Sequence, residues 1–257
     1  MAIITLTTDW GTSDYYLAAV KGTILSYLPD ATIVDISNHI PQYDLAGAAF
    51  NLRNCYRNFP QGSLHIIGVN TEESIETPHI VAKMNGHYFV GCDNGVFSML
   101  FDEFPEEVIE IEVPQDSDFF TFSTRDRFVK VAVHILKGGD LDSLGGRREF
   151  INQRMLFQPT VTETAIKGLV MHIDAYGNLI TNISYKLFKQ ASKNRTFEIY
   201  FNSYRIRKIH TQYREVGVPE LVALFGSHNF LEIAINQGSA ATLCGMMRNS
   251  PVYINFL

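Results

Sequence analysis

Cysteine is scarce. Cys55, Cys92 and Cys244 stand far apart in a chain of 257 residues. Without a C-x-x-C pair, neither a disulfide framework nor a thiolate zinc site is readable, and a reducing cytoplasm is the expected setting. Excess positive charge is missing too: 21 Lys and Arg against 27 Asp and Glu leave a formal charge of −6. That argues against a surface built for the phosphate backbone, which needs clustered Lys and Arg, so no nucleic-acid partner is expected. No run approaches the ~18 to 20 apolar residues of a membrane span, and no membrane partner is expected. The first residues, Met1 to Asp9, show neither a basic n-region nor a long apolar stretch, so a soluble, unprocessed cytoplasmic chain is the expectation.

What is present is a globular composition. With 46% hydrophobic and 19% charged residues, the chain is neither disordered nor a low-complexity fibre. Its length exceeds the usual single domain of roughly 100 to 200 residues, so two domains are favoured.

Hydrophobic periodicity divides the chain into two regimes. Ile3 to Thr7 reads as a strand, followed by the turn-rich Thr8-Asp9-Trp10-Gly11-Thr12-Ser13-Asp14 and a helix over Tyr15 to Leu28. A strand is expected over Ala31 to Ile36, a helix over Asp44 to Phe59, and a strand over Leu64 to Val69. Ile80 to Lys83 and His87 to Gly91 form a hairpin about Asn85-Gly86, a strong turn dipeptide. Arg125 to Lys137 is a further helix. Such alternation predicts an α/β N-terminal domain with a largely parallel sheet, in which ligands lie at the carboxyl ends of strands. After Gln158-Pro159 the pattern becomes seven short strands: Gly168 to Ile173, Leu179 to Ile183, Phe197 to Phe201, Tyr204 to Ile206, Leu221 to Phe225, Leu231 to Ile235 and Val252 to Asn255. These predict an all-β C-terminal barrel domain. The domains are taken as residues 1–158 and 163–257.

Several loops could carry chemistry. Asp9 follows the first strand, where a carboxylate can accept both hydroxyls of a ribose; it could equally cap the next helix, a role that suits Asp14 better. Tyr43, beside the same sheet end, offers a face to a purine or sugar, or simply packs. The segment Phe89 to Val96 reads as a turn. Asp118 to Asp126 is rich in aromatics and hydroxyls, and Ser123 or Thr124 could be a helix cap. Asp174 and Asn178 in Ile173-Asp174-Ala175-Tyr176-Gly177-Asn178 could hold the ammonium and carboxylate of an amino acid, or form an ordinary hairpin turn. Gly226-Ser227-His228-Asn229 and Asn236-Gln237-Gly238-Ser239-Ala240-Ala241 are small and polar enough for a ligand to approach the backbone. No phosphate loop, H-E-x-x-H or nucleophile elbow occurs. His65, His79, His87 and His134 lack ligand spacing, so no metal is expected.

Taken together and in order, T-D-W-G-T-S-D-Y-Y, V-D-I-S-N-H-I-P-Q-Y-D, F-P-Q-G-S-L-H, F-V-G-C-D-N-G-V-F-S, T-F-S-T-R-D, I-D-A-Y-G-N-L-I-T-N-I and L-E-I-A-I-N-Q-G-S-A-A resemble the S-adenosylmethionine hydroxide adenosyltransferases, relatives of the fluorinase and chlorinase enzymes. The similarity runs along essentially the whole chain. It implies S-adenosylmethionine as substrate, with no separate cofactor, and in-line attack of water or halide at ribose C5′ with methionine leaving. It also implies a homotrimer with sites formed between subunits. Carried over by residue, Asp9 would hold the ribose hydroxyls, Tyr43 would lie against ribose and methionine, and Phe122 and Thr124 would line the reaction centre. Asp174, Asn178 and Ser227 would hold the methionine end, and Tyr213, Phe225 and the Ser239-Ala240 backbone would bound the adenine.

One part of the family pattern is changed. The resemblance implies an Asp, Arg and His set that positions the attacking water, its Asp in a V-D-P-G-V-G-T-x-R segment and its His in T-F-H-G-R-D. Here Asn70 stands for the Asp, no Arg follows at the matching spacing, and Ser123 stands for the His. Neither Asn70 nor Ser123 takes a proton near neutral pH. Slow turnover, or a catalytically degenerate binder of S-adenosylmethionine or adenosine, are the two expectations. Glu72 and Glu73 are candidate substitute bases, weighed against plain exposed loop carboxylates.

Overall fold

The computed structural model describes residues 2–115, 118, 120–155 and 157–257; Phe119 of the aromatic loop lies outside them. The chain forms two compact units, Met1–Met155 and Leu156–Leu257.

In the first unit, strands β1 (Ile3–Thr8), β2 (Thr32–Ser37), β3 (Leu64–Gly68), β4 (His79–Met84), β5 (His87–Cys92), β6 (Glu107–Ile111) and β7 (Gly145–Arg147) build one sheet in the order β2-β1-β3-β5-β4-β6-β7. The run β2-β1-β3-β5 is parallel, and β4, β6 and β7 extend it antiparallel. The parallel strands therefore deliver the loops after β1, β3 and β5 to one edge. The β4–β5 hairpin turns at Asn85-Gly86 as the dipeptide predicts, with φ of 53° and 75°, the double positive φ of a type I′ turn.

Helices cover both faces. On one, α1 (Tyr16–Tyr27) and α4 (Val129–Leu136) pack with Ile4, Leu6, Leu64, Ile66 and Phe128; on the other, α2 (Leu45–Arg53) and α3 (Val96–Leu100) pack with Ile67, Val69, Ile80 and Phe89. Each such buried aliphatic or aromatic side chain contributes ~1.5 to 3 kcal/mol.

Two helices depart from expectation. The one expected over Asp44 to Phe59 begins as read, with Asp44 Oδ1 accepting the Gly47 N–H, but ends at Arg53; a separate 3-10 turn spans Tyr56–Asn58 before Pro60. The one expected from Arg125 opens with a π-type turn over Thr124–Phe128, and neither Ser123 nor Thr124 makes a side-chain cap. The short α3, the E-V-I-E-I strand β6 and β7 were not anticipated.

The second unit is one antiparallel sheet of β8 (Thr160–Val161), β9 (Ala165–Ile173), β10 (Leu179–Ser184), β11 (Phe197–Phe201), β12 (Tyr204–Ile206), β13 (Leu221–Phe225), β14 (Phe230–Ile235) and β15 (Pro251–Phe256). The main path runs β12-β11-β15-β9-β10-β14-β13, with β8 on β9. A bridge from His210 to Leu224 links the segment after β12 to β13, so the sheet curls nearly closed into a barrel-like form. Ile166, Val170, Ile183, Ile199, Phe201, Ile233 and Ile254 fill its core. Two helices not anticipated, α5 (Tyr185–Ser192) and α6 (Ala240–Cys244), start at Ser184 and Ser239, whose hydroxyls accept the N–H of Leu187 and Thr242.

Among the described residues no helix is long and apolar enough to cross a membrane, and no group of three or more His, Cys, Asp or Glu could hold a metal ion. Burial pushes the thiol of Cys55 up to about 11 and that of Cys92 to about 12, so both stay protonated and unreactive near neutral pH.

Candidate functional site

Two neighbourhoods collect the residues singled out in the sequence, one in each unit. The first occupies the carboxyl edge of the parallel strands. Thr8 of β1 pairs with Gly68 of β3, so Asp9 and Asn70 leave adjacent strands at the same edge. Asp9 Oδ2 accepts the backbone N–H of Tyr43 at 3.0 Å. That bond spans 34 positions and holds Tyr43, a residue 72% exposed, in a left-handed conformation, φ 63°. Asp9 thus positions the aromatic beside it and caps no helix. An ionised carboxylate has about four acceptor positions, so it keeps room for two further donors.

Trp10 lies across Gly68. A Cβ on Gly68 would sit 2.7 Å from Trp10 Cζ2 and 3.0 Å from Thr8 Cγ2, so this floor admits only glycine. The ring of Phe122 meets Trp10 edge-on at 5.6 Å and Tyr16 edge-on at 5.3 Å, and the Arg125 guanidinium stands 5.2 Å from the Phe122 centroid. Such aromatic pairs contribute about 0.5 to 1.5 kcal/mol beyond burial and fix ring orientation.

Thr124 is fully buried, and its hydroxyl has no hydrogen-bond partner among the described residues. Leaving such a group unsatisfied costs ~1 to 3 kcal/mol, which a bound polar species would recover. Ser123, also buried, accepts a bond from Gln115 Nε2 at 3.1 Å. Asn70 has φ 49°, and its carbonyl accepts from Asn94 Nδ2 at 2.8 Å. Among the described residues no hydrogen bond joins Asn70 to Ser123. Asp93, in the segment read as a turn, is buried and binds the Asn152 N–H through both carboxyl oxygens at 3.0 Å.

The loop between Asn70 and β4 holds a cluster that sequence reading missed. Buried His79 donates from Nε2 to the Thr71 carbonyl at 2.8 Å, so its Nδ1 accepts from Arg127 Nη1 at 2.9 Å. Arg127 Nη1 also donates to Glu73 Oε2 at 2.6 Å. Burial lowers the His79 pKa below the ordinary histidine value, so the ring stays neutral. Glu73, a candidate base by sequence, is therefore an ion-pair partner.

The second neighbourhood is the turn after β9 and its surroundings. Asp174 Oδ1 accepts the N–H of Tyr176 at 3.0 Å and of Asn178 at 2.9 Å, and Oδ2 accepts from Asn178 Nδ2 at 3.0 Å. Asn178 is 7% exposed. Gly177, φ 80°, lies against Ser239: a Cβ there would overlap the Ser239 hydroxyl, and the Ala241 N–H donates to the Gly177 carbonyl. The Asp174–Asn178 turn and the Ser239-Ala240 backbone therefore meet. The Ser239 side chain itself caps α6.

Tyr213 donates from its hydroxyl to Glu232 Oε1 at 2.7 Å, and burial together with that carboxylate raises its pKa. Glu232 is only 3% exposed; its Oε2 accepts from His228 Nε2 at 3.2 Å, the His228 Nδ1 being occupied by the Phe230 N–H. Glu232 was not singled out, and His228 entered only as a member of the small polar loop Gly226-Ser227-His228-Asn229; a Glu inside the apolar run L-E-I-A-I was the available signal. Phe225 packs edge-on to Tyr185 at 5.1 Å, and Ser227 stands exposed in the β13–β14 turn beside His228.

These features define a two-unit α/β and barrel-like protein whose polar loops gather at a strand edge in one unit and about a buried carboxylate in the other. Two family models match in order: the SAM hydroxide adenosyltransferase N-terminal domain over residues 4–145 and the C-terminal domain over residues 168–253. The chain belongs to the S-adenosylmethionine hydroxide adenosyltransferase family.

A protein of Methanocaldococcus jannaschii named (R)-S-adenosyl-L-methionine hydrolase is 34% identical over 187 residues, which is 70% of this chain and 66% of that one. One of the same name from Thermus thermophilus is 28% identical over 260 residues, covering 95% and 96%. The crystal structure of a conserved protein from Thermotoga maritima superposes with a TM-score of 0.89 at 28% identity, over 98% of this chain and 99% of that one.

Proposed function

We propose that the protein cleaves S-adenosyl-L-methionine by in-line attack of water at ribose C5′, giving adenosine and L-methionine. The observation that carries this reading is the collinear match of both family domains, with hydrolase-named relatives aligned along 95% of the chain.

The chemistry asks little acid help, because the sulfonium departs as a neutral thioether. The protein must orient the nucleophile, strip its water and hold the ligand. Asp9, with acceptor positions beyond its bond to Tyr43, suits a pair of ribose hydroxyls. Tyr43 would face the ribose and the methionine chain. Phe122 and the unpartnered hydroxyl of Thr124 would border C5′. Asp174, Asn178 and Ser227 would take the methionine ammonium and carboxylate. Tyr213, Phe225 and the Ser239-Ala240 backbone would bound the adenine. We further propose a cytoplasmic homotrimer that needs no added cofactor, with each site completed by a neighbouring subunit.

Asn70 and Ser123 can hydrogen-bond a water but cannot deprotonate it. A rate about 10² to 10⁴ below that of an acid–base-assisted site follows. The test is incubation of purified protein with S-adenosylmethionine, with and without chloride or fluoride, and chromatography for adenosine, 5′-halogenated adenosine and methionine. Adenosine and methionine in equal amounts are expected. Tight calorimetric binding with no product at stoichiometric enzyme would establish the second reading, a binder that has lost turnover, which the replacement of the water-positioning set favours.

A further inference from the structure

The family's water-positioning Asp and His map to two segments, the loop after β3 that begins at Asn70 and the turn that carries Ser123 and Thr124. In this chain both positions have lost their titratable groups, yet an Arg, a His and a Glu stand together between the same two segments. Arg127 leaves the π-type turn Thr124–Phe128, three residues after Thr124, and reaches the β3–β4 loop. There a single Nη1 serves two acceptors, Glu73 Oε2 at 2.6 Å and His79 Nδ1 at 2.9 Å. His79 passes the restraint on, since its Nε2–H holds the Thr71 carbonyl, one residue from Asn70. Its ring is also wedged edge-on against Phe128 at 4.7 Å.

The loop is held from other sides as well. Cys92 Sγ donates to the Thr77 carbonyl at 3.2 Å, and Asn94 Nδ2 donates to the Asn70 carbonyl. Arg127 is the member that joins this loop to the turn bearing Thr124. Its side chain is 11% exposed, and its buried Nε–H has no partner among the described residues, so the guanidinium keeps this pose at a local cost.

We infer that Arg127, fixed by Glu73 and His79, is a positioning residue that clamps the Asn70 loop against the Ser123-Thr124 turn and so orients the attacking nucleophile. The inference rests on the hydrolase reading for its catalytic consequence. The role assigned is positioning, not contact with the reacting atoms: His79 is fully buried with both ring nitrogens engaged, and Arg127 Nη1 is held by Glu73 and His79.

Arg127→Met, Arg127→Lys and Glu73→Gln test it, with hydrogen exchange of the peptide covering residues 70–78 read beside kinetics. In Arg127→Met, exchange in that peptide should rise about tenfold while the remaining peptides keep their protection. The kcat for adenosine formation should fall ~10- to 100-fold, since a misplacement of about 1 Å costs that much, with KM within about threefold. Arg127→Lys, which can still meet Glu73, should recover part of both losses. Glu73→Gln, at a half-exposed position that folding tolerates, should give a smaller change in the same direction. The double variant should be no worse than Arg127→Met alone. Unchanged exchange, or an unchanged kcat in a protein that does make adenosine, overturns the inference. A wild-type protein that makes no adenosine overturns the hydrolase reading instead, and the exchange result still decides whether Arg127 clamps the loop.

Discussion

Acid should destabilise this protein well before its carboxylates titrate, and His65 is the reason. The side chain is fully buried between Thr5 Oγ1, at 2.7 Å from Nδ1, and His87 Nδ1, at 3.1 Å from Nε2, and it stacks on Phe89 at 4.8 Å. Burial, reinforced by the neighbouring His87, pushes its pKa from 6.5 down to about 3. A depressed folded-state pKa means that the unfolded chain takes up the proton first. The stability is therefore complete above 6.5 and is lost as pH falls towards 3. Integrating the proton uptake between pH 7.5 and pH 5 gives about 2 kcal/mol from this one residue. With a urea dependence of about 2 kcal/mol per molar, the unfolding midpoint should drop by about 1 M. His79 and His87, both lowered chiefly by burial, push the same way. Urea titrations at the two pH values measure the effect. His65→Phe keeps the stack on Phe89 and removes the titration, so it should be weaker at pH 7.5 but lose about 2 kcal/mol less on acidification. Equal pH dependence in wild type and His65→Phe would refute the reasoning.

Trp10 is the only tryptophan in the sequence and lies on the floor of the first neighbourhood, so S-adenosylmethionine or adenosine should change the intrinsic fluorescence on titration. Gly68→Ala should displace that ring and weaken the fluorescence-detected affinity at least tenfold, about 1.4 kcal/mol. Asp9→Ala removes both the proposed ribose acceptor and the tether of Tyr43, and should abolish the ligand-dependent rise in melting temperature expected of wild type. Asp174→Ala loses three hydrogen bonds within one turn and should raise KM more than it lowers kcat, as steady-state kinetics would show.

The parallel strands, the Asn85-Gly86 hairpin and the strands of the second unit other than the two-residue β8 were legible because alternation, apolar runs and turn dipeptides are local signals. Short helices were not: α3 and α6 have five residues each, too few for a 3.6-residue period to declare itself. The π-type turn at Thr124 has no sequence signature, since it is imposed by what packs around it. In the site, residue types and family likeness pointed to Asp9, Tyr43 and Thr124, but the Asp9–Tyr43 bond joins residues 34 apart and only the fold reveals it. Likewise Glu73 read as a loop carboxylate until Arg127, 54 positions later, was found beside it.

The measurement closest to the central claim is the origin of the adenosine 5′-oxygen. Turnover of S-adenosylmethionine in heavy-oxygen water, followed by mass spectrometry of the nucleoside, should find the label in the 5′-hydroxyl of the adenosine, with unlabelled methionine beside it. Adenosine without the label, or its absence when the ligand is bound at saturation, would contradict attack by water at C5′.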